Sequence, residues 1–402
     1  MTTDPNEPQK QDTRCDTLFW SLGFPLLICS LGVVIVLLFL HQKDRWDRTA
    51  GQARIDLRHI PPEWIGYRQI AVFATPVPGQ AISFALFDDS AFVIGSVDPP
   101  MLSFFDDTGT LLRTINLPEE PRAIICGTPD TIFSGKIVVA HPRGIVVYSA
   151  EGEPELLLHM PPSISSISGE RMSSPGNLRR SPMSVREFNE SLVRSLVLTP
   201  EYLFAAESGS CSIYRFDTDG YSPVLVFGRG LSARGATGMG STRRVGNYEF
   251  LEQLFDGFVV YVAPITMAFS PKSGLLYIAN PGRHRVDVFT QDGIYLPELS
   301  WGEPSSRLEG FAGCCNPVGL AVLDDGRILT VEKAISRIKI YRTDGTLDTV
   351  VAGPDVLDNL PPGTTRAPLD PGGRYFSAVP LSGGRIAVFD FDHALMRIFE
   401  PL

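Results

Sequence analysis

Short apolar stretches alternate with turns from about Gly66 to the end of the chain, and their spacing repeats. The two clearest copies are Ile265–Pro304 and Cys315–Pro354. In each copy a first apolar strand is followed by a second strand, which is LLYIAN in the first copy and RILTVE in the second. A basic turn, a third strand, an Asp-Gly turn and a fourth strand come next. Each unit spans about 40 residues. Four alternating strands divided by tight turns in a unit of this length predict one blade of a β-propeller.

Weaker copies of the same unit fill the rest of this region. They lie at Ala81–Leu117, Pro121–Pro161 and Ser191–Gly230. A last copy begins at Tyr375 and has only three strands before Leu402. Because a missing fourth strand would leave an open sheet edge, the unassigned strand pattern Tyr67–Ala74 is expected to complete this blade. We therefore predict an all-β fold, a six-bladed β-propeller whose N-terminal strand closes the C-terminal blade.

Two stretches interrupt the repeat. Residues 161–190 are rich in Ser and Pro and have no apolar periodicity, whereas residues 228–248 are rich in Gly and Arg. Segments of this composition and length predict long loops inserted between blades.

A continuous apolar run lies near the N-terminus. Leu18–Leu40 contains 23 residues without a charge, which is enough for a helix to cross about 30 Å of hydrocarbon. A cleaved signal peptide is the alternative, but its apolar core is usually about 7–15 residues long and no small-x-small cleavage site follows the run. We predict a tail at 1–17, a single transmembrane helix at 18–40, a juxtamembrane linker at 41–65 and the propeller at 66–402.

The repeat resembles the NHL family of β-propellers. The segments RHRVDVF and SRIKIY match the basic opening of that family's third strand, and NPVGLAV matches its Pro-x-Gly-hydrophobic first strand. The literal Asn-His-Leu signature is absent, which leaves the subfamily open. The Cys-Cys-Asn-Pro start of one blade is similar to a membrane-anchored bacterial type, and this resemblance implies an exported propeller.

The charges that flank the apolar run favour the opposite orientation. The tail carries Lys10 and Arg14, whereas five basic residues lie within residues 41–58. The positive-inside rule then favours a cytoplasmic propeller. Single-span proteins with a short tail and a large folded domain often export that domain, in agreement with the resemblance. We therefore expect a single-pass membrane protein with an extracytoplasmic propeller.

Composition limits the partners. With a net charge of −10 and a pI near 5.2, the chain lacks the basic surface that nucleic-acid backbones require. Only six cysteines occur in 402 residues, which is too few for a fold held together by disulfides.

Propeller connectivity predicts one end where chemistry could gather. The crossovers between blades and the turns between second and third strands share this end, which we call the upper face. Several features map to this face: both long insertions, Cys211, His284 and the adjacent pair Cys314 and Cys315.

Paired thiols near an imidazole are compatible with a redox site or with a soft metal such as copper or zinc. The alternative is two small residues that pack a tight turn before Pro317, since the chain contains no CxxC, CxxCH or HExxH motif.

The insertions also carry arginines. Arg179, Arg180, Arg243 and Arg244 are the candidates for binding a protein partner or an acidic ligand at the upper face. The alternative is solvated loop charge.

Two classes of function follow. The first is a binding or assembly scaffold that uses its loop-rich face and needs no catalytic residue. The second is a propeller hydrolase or lyase with a metal-dependent site at the mouth of the central channel. First-strand sequences such as GLAVL and TMAFS are mostly apolar and no Gly-x-Ser-x-Gly elbow occurs, so we favour the scaffold.

Overall fold

The computed structural model describes residues 59–161, 193–228, 231–232, 257–260, 264–305, 307–313, 315–333, 335–364 and 375–402. Within these residues the fold is a six-bladed β-propeller, as the sequence predicts. The strands of its first half are β1 Tyr67–Ala74, β2 Gln80–Asp88, β3 Ala91–Val97, β4 Met101–Asp106, β5 Leu111–Asn116, β6 Ala123–Cys126, β7 Ile137–His141, β8 Gly144–Tyr148, β9 Pro154–Leu158, β10 Val193–Leu198, β11 Leu203–Glu207, β12 Ser212–Phe216 and β13 Val224–Gly228. Those of its second half are β14 Leu231–Ser232, β15 Val259–Val260, β16 Thr266–Ser270, β17 Leu275–Asn280, β18 Arg285–Thr290, β19 Gly319–Val322, β20 Ile328–Glu332, β21 Arg337–Tyr341, β22 Leu347–Ala352, β23 Phe376–Pro380, β24 Ile386–Asp390 and β25 Leu395–Pro401.

Helical structure among the described residues is confined to single turns. Four are 3-10 turns, at Pro62–Trp64, Pro281–Arg283, Pro297–Leu299 and Ser382–Gly384, and one is an α-helical turn at Pro354–Leu357.

Each of blades 1 to 5 is an antiparallel sheet built from consecutive strands. Blades 1, 2, 3 and 5 are β2–β5, β6–β9, β10–β13 and β19–β22, and blade 4 is β16–β18. The middle strands, such as β7 and β20, are buried along their whole length, whereas the outer strand β5 alternates between exposed and half-buried positions. Middle strands lie between two neighbouring blades, which explains why their sequences are continuous apolar runs rather than alternating ones.

The N-terminal strand closes the ring as predicted. In blade 6 the order is β1-β25-β24-β23, and β1 is antiparallel to β25 with Tyr67 opposite Pro401 and Ala74 opposite Leu395. The preceding residues also hold the propeller, because Ile65 forms a bridge with Val350 of blade 5. The last residues of the predicted linker at 41–65 therefore pack against the outer edge of a blade.

Blade 4 differs from the predicted four-strand unit. Instead of a regular fourth strand, two isolated bridges pair Val286 with Trp301 and Phe289 with Tyr295. The 3-10 turn Pro297–Leu299 lies between these bridges. Proline has no backbone N–H to give to a ladder, so the outer strand is broken at this point.

The core is divided among the gaps between blades. Six hydrophobic clusters are found among the described residues, and each one joins a pair of adjacent blades around the ring. The cluster between blades 6 and 1, for example, packs Phe389 and Ile398 against Phe84 and Phe92. Each blade is thus stabilised mainly by burial against its two neighbours.

Candidate functional site: the upper face

The upper face is defined by the strand order. In every blade the second-to-third-strand turn lies at the end where the chain crosses to the next blade. Residues 159–192 join β9 to β10 and residues 229–265 join β13 to β16, so both of these long crossovers are attached at this end.

One position near this end is polar in every blade. It is the residue of the second strand that pairs with the first residue of the third strand. The occupants are Ser96, His141, Glu207, Asn280, Glu332 and Asp390. All are exposed by 3% or less, and we call them the turn anchors. A polar group buried to this degree is stable only when it is hydrogen-bonded.

Three turn anchors hold the turn that follows them. Glu207 accepts hydrogen bonds from the backbone N–H of Gly209, at 3.1 Å, and of Ser210, at 2.6 Å. Asp390 accepts from the N–H of Asp392 at 3.1 Å. Ser96 donates to the carbonyl oxygen of Pro99 at 3.4 Å.

The other three turn anchors reach the crossover that enters their own blade. Asn280 accepts from the N–H of Val259 at 2.9 Å, and Glu332 accepts from the N–H of Ala312 at 3.2 Å. His141 Nδ1 lies 3.2 Å from the carbonyl oxygen of Glu119, and its Nε2 lies 3.0 Å from the Tyr148 hydroxyl. Since a carbonyl only accepts, Nδ1 carries the proton of a neutral imidazole. Burial lowers the pKa of His141, in keeping with that neutral state.

The most heavily charged anchor site lies in blade 5. Glu332 is in contact with Arg337 at 2.7 Å and with Lys339 at 2.7 Å, and all three side chains are exposed by 1% or less. Lys339 also donates to the carbonyl oxygens of Leu308, at 2.9 Å, and Gly310, at 2.8 Å. Burial lowers the pKa of Lys339 to about 8, against the opposing effect of Glu332. The cluster fixes the crossover between blades 4 and 5.

Two cysteines of the predicted thiol site, Cys211 and Cys315, lie in separate parts of the core. Cys211 is buried in the cluster between blades 3 and 4, and Cys315 is buried in the cluster between blades 5 and 6. Burial raises the pKa of Cys211 to about 12, which keeps its thiol protonated at neutral pH and weakens it as a nucleophile or metal ligand. The structure therefore does not bring Cys211 and Cys315 together.

The asparagine of the Cys-Cys-Asn-Pro motif is hydrogen-bonded to two other segments of blade 5 and its crossover. Asn316 is fully buried, donates to the carbonyl oxygen of Ala312 at 2.6 Å and accepts from the N–H of Lys333 at 2.9 Å. It therefore joins the incoming crossover to the turn of blade 5. Cys314 lies outside the described residues, and the redox or metal role of the Cys314 and Cys315 pair stays a prediction.

His284 ends the second-to-third-strand turn of blade 4, with a left-handed φ of 56°. Burial lowers its pKa, while a hydrogen bond with the Phe311 backbone and the charge of Glu332 oppose that effect. Within the described part of the chain, no group of three His, Cys, Asp or Glu side chains could hold a metal ion. The candidate anion-binding residues Arg179, Arg180, Arg243 and Arg244 lie outside that part.

The predicted membrane span also falls outside the described residues. Across the ranges that the structure does describe, no helix has both the length and the apolar character needed to cross a membrane.

Propeller connectivity maps His141, Glu207 and Glu332 to the upper face, but the sequence analysis does not identify the position that all six turn anchors share. The sequence contains the signal: five of the six apolar second strands end in a polar residue just before the turn, and in β3 the polar Ser96 is followed only by Val97. Alignment of the six copies at this position would have identified the set.

Comparisons with known proteins support the fold. No family model and no curated protein matches the chain. A structural genomics protein of unknown function from Bacteroides thetaiotaomicron is 12% identical, with 84% of this chain and 76% of that chain covered and a TM-score of 0.50. Two further similar structures are a virginiamycin B lyase from Staphylococcus aureus (10% identity, 84% and 88% covered, TM-score 0.45) and a streptogramin B lyase (11% identity, 85% and 100% covered, TM-score 0.47).

The strand order defines the class, a six-bladed β-propeller protein, and the likeness to the protein from Bacteroides thetaiotaomicron agrees with this fold. Identities of this size show the fold alone, and the two lyases are too distant in structure to carry an argument about activity. The NHL resemblance and the metal-dependent hydrolase or lyase both stay predictions.

Proposed function

We propose that this protein is a binding or assembly scaffold, that its upper face is the working surface, and that a protein partner binds there. The observation that carries the proposal is the set of turn anchors. One buried polar side chain per blade holds either a turn or a described part of a crossover, so these parts of the upper face have a defined shape. A preorganised surface loses less conformational entropy when it binds.

Two features of the chain agree with this role. The long crossovers at 159–192 and 229–265 are both attached at the upper face, and loops on a rigid framework are the usual place for binding residues. In the proposal, the NHL-like propeller is anchored by the helix at 18–40 and faces the extracytoplasmic side. The arginines of the insertions then attract acidic groups of the partner.

Site-specific photo-crosslinking tests the working surface. A benzophenone amino acid at Arg143, whose side chain is 87% exposed in the upper turn of blade 2, is expected to give a discrete covalent adduct with a partner in the producing cells. The matched control places the same group at Asp344, an exposed residue in the lower turn of blade 5, and is expected to give none. Adducts from Asp344 alone, or equally from both positions, would contradict the proposal.

A further inference from the structure

A buried lysine and a tyrosine meet across the gap between blades 5 and 6. Lys333 follows the turn anchor Glu332 in the second-to-third-strand turn of blade 5, and Tyr375 directly precedes β23, the first strand of blade 6. Both positions are at the upper face, where β23 packs against β19 and β20 of blade 5. Lys333 Nζ donates to the Tyr375 hydroxyl at 3.4 Å and lies 5.4 Å from the centre of its ring.

Hydrogen bonds fix the backbone of both members of this pair. Asn316 accepts from the N–H of Lys333 at 2.9 Å and donates to the Lys333 carbonyl oxygen at 3.1 Å. The Tyr375 carbonyl oxygen accepts from the N–H of Phe391 at 3.2 Å. Side chains that extend from a fixed backbone lose less conformational entropy when they bind a ligand.

The charge of Lys333 has no carboxylate partner within the described part of the chain. Lys333 is only 3% exposed, and the bond to Tyr375 is its one side-chain hydrogen bond there. An ammonium group has three N–H donors, and 3.4 Å is long for such a bond. Lysines are rarely buried to this degree unless an anion pairs with them.

The acidic turn anchors on the two sides of the gap are already in contact with other groups. Glu332 of blade 5 pairs with two buried cations, each at 2.7 Å, and Asp390 of blade 6 lies 3.0 Å from His393 Nδ1. The Tyr375 hydroxyl accepts from Lys333 and donates to no described residue. The pair therefore has N–H and O–H donors available for one further acceptor.

We propose that Lys333 and Tyr375 bind the carboxylate group of a small soluble ligand. One ammonium group and one hydroxyl match the single charge and the two oxygens of a carboxylate. A phosphate ester carries about −1.5 to −2 charge at pH 7 and would leave negative charge unbalanced in a buried site. The inference rests on the proposed function, because it assigns a ligand class to the same face. It is separate in detail, because the ligand needs no contact with the crossovers at 159–192 and 229–265.

Calorimetric titration of the full-length chain in a non-ionic detergent tests the site. Acetate and inorganic phosphate are titrated separately at constant ionic strength, and acetate is expected to bind more tightly. Lys333→Met is expected to weaken acetate binding about tenfold or more, because it removes a charge-assisted hydrogen bond. Tyr375→Phe keeps the ring but loses the hydroxyl, and is expected to weaken acetate binding about threefold or more. Lys272→Met changes an exposed lysine on the opposite face and is the control, with wild-type affinity.

Thermal melts separate ligand binding from a structural role. Without acetate, the Lys333→Met chain is expected to melt at or above the wild-type temperature, because a buried charge without a carboxylate partner is removed. Added acetate is expected to raise the melting temperature of the wild type and to leave that of Lys333→Met unchanged.

Four results would overturn the inference. They are no acetate binding to the wild type, tighter binding of phosphate than of acetate, wild-type acetate affinity in Lys333→Met or Tyr375→Phe, and a Lys333→Met chain that melts below the wild type without acetate. The last result would show that Lys333 supports the fold. In each case, adducts from position 143 would still support the scaffold, so the two proposals fail separately.

Discussion

Buried charged side chains fix the crossover between blades 4 and 5. Glu332, Arg337 and Lys339 are buried in blade 5, and each has a charged or backbone partner. Removing one partner of a buried ion pair is costly because the other charge stays desolvated. Residues of this kind are easily taken for catalytic groups in a sequence, and their contacts assign them to the support of the upper face.

Lys339→Met is expected to lower the free energy of unfolding by about 3–5 kcal/mol at pH 7, because Glu332 and two carbonyl oxygens lose a donor. A pH effect accompanies this loss. The folded chain releases the Lys339 proton near pH 8, whereas the unfolded chain holds it to about 10.4. Between these values the unfolded state binds more protons, so the stability contributed by Lys339 rises with pH by up to about 1.4 kcal/mol per unit.

Urea unfolding of the wild type and Lys339→Met from pH 7 to 10 measures this difference. Lys272→Met, a change at an exposed lysine, is the control and should leave the pH profile as in the wild type. A gap between wild type and Lys339→Met that stays constant or narrows above pH 8 would refute the assignment.

Among the elements, β1 determines whether the ring is closed. It supplies the outer strand of blade 6, and its Ala71 and Phe73 pack on the cluster between blades 6 and 1. Without it, β25 would present unpaired backbone groups along an open edge. The register shift between Gln69 and Ala71 bends β1, and bulged outer strands resist pairing with other molecules.

Truncation tests the closure. A chain without residues 1–74 is expected to lose about 5 kcal/mol or more, from the burial of side chains such as Tyr67 and Phe73 and from the lost ladder, and to aggregate. The control lacks only residues 1–56 and keeps the compact unit Leu57–Leu402. Thermal melts and size-exclusion chromatography compare them, and two monomers with equal melting temperatures would show that β1 is dispensable.

For the whole molecule, the side of the membrane decides which chemistry the cysteines can have. An oxidising compartment permits a disulfide between Cys314 and Cys315, whereas a reducing one keeps both as thiols. The chain ends just after β25, at the end of blade 6 opposite the upper face, where Leu402 is 75% exposed, so a C-terminal fusion leaves the ring intact.

Fusion of alkaline phosphatase or green fluorescent protein to Leu402 in a bacterial host checks the orientation. An exported propeller gives an active phosphatase and a dark fluorescent protein, because each reporter folds on only one side of the membrane. Fluorescence together with inactive phosphatase would place the propeller in the cytoplasm, as the charges after residue 40 favour.

The repeat of strands and turns, as a property of local sequence, was enough to predict six blades and the pairing of Tyr67–Ala74 with the last strand. Apolar stretches and the Asp-Gly turns between them are each defined by a few neighbouring residues, so a single sequence is enough to recognise them. The tertiary structure decided three features: the broken outer strand of blade 4, the separation of Cys211 from Cys315, and the contacts of Asn316. These depend on which side chains meet across the gaps between blades, and such distances are set only when the ring closes.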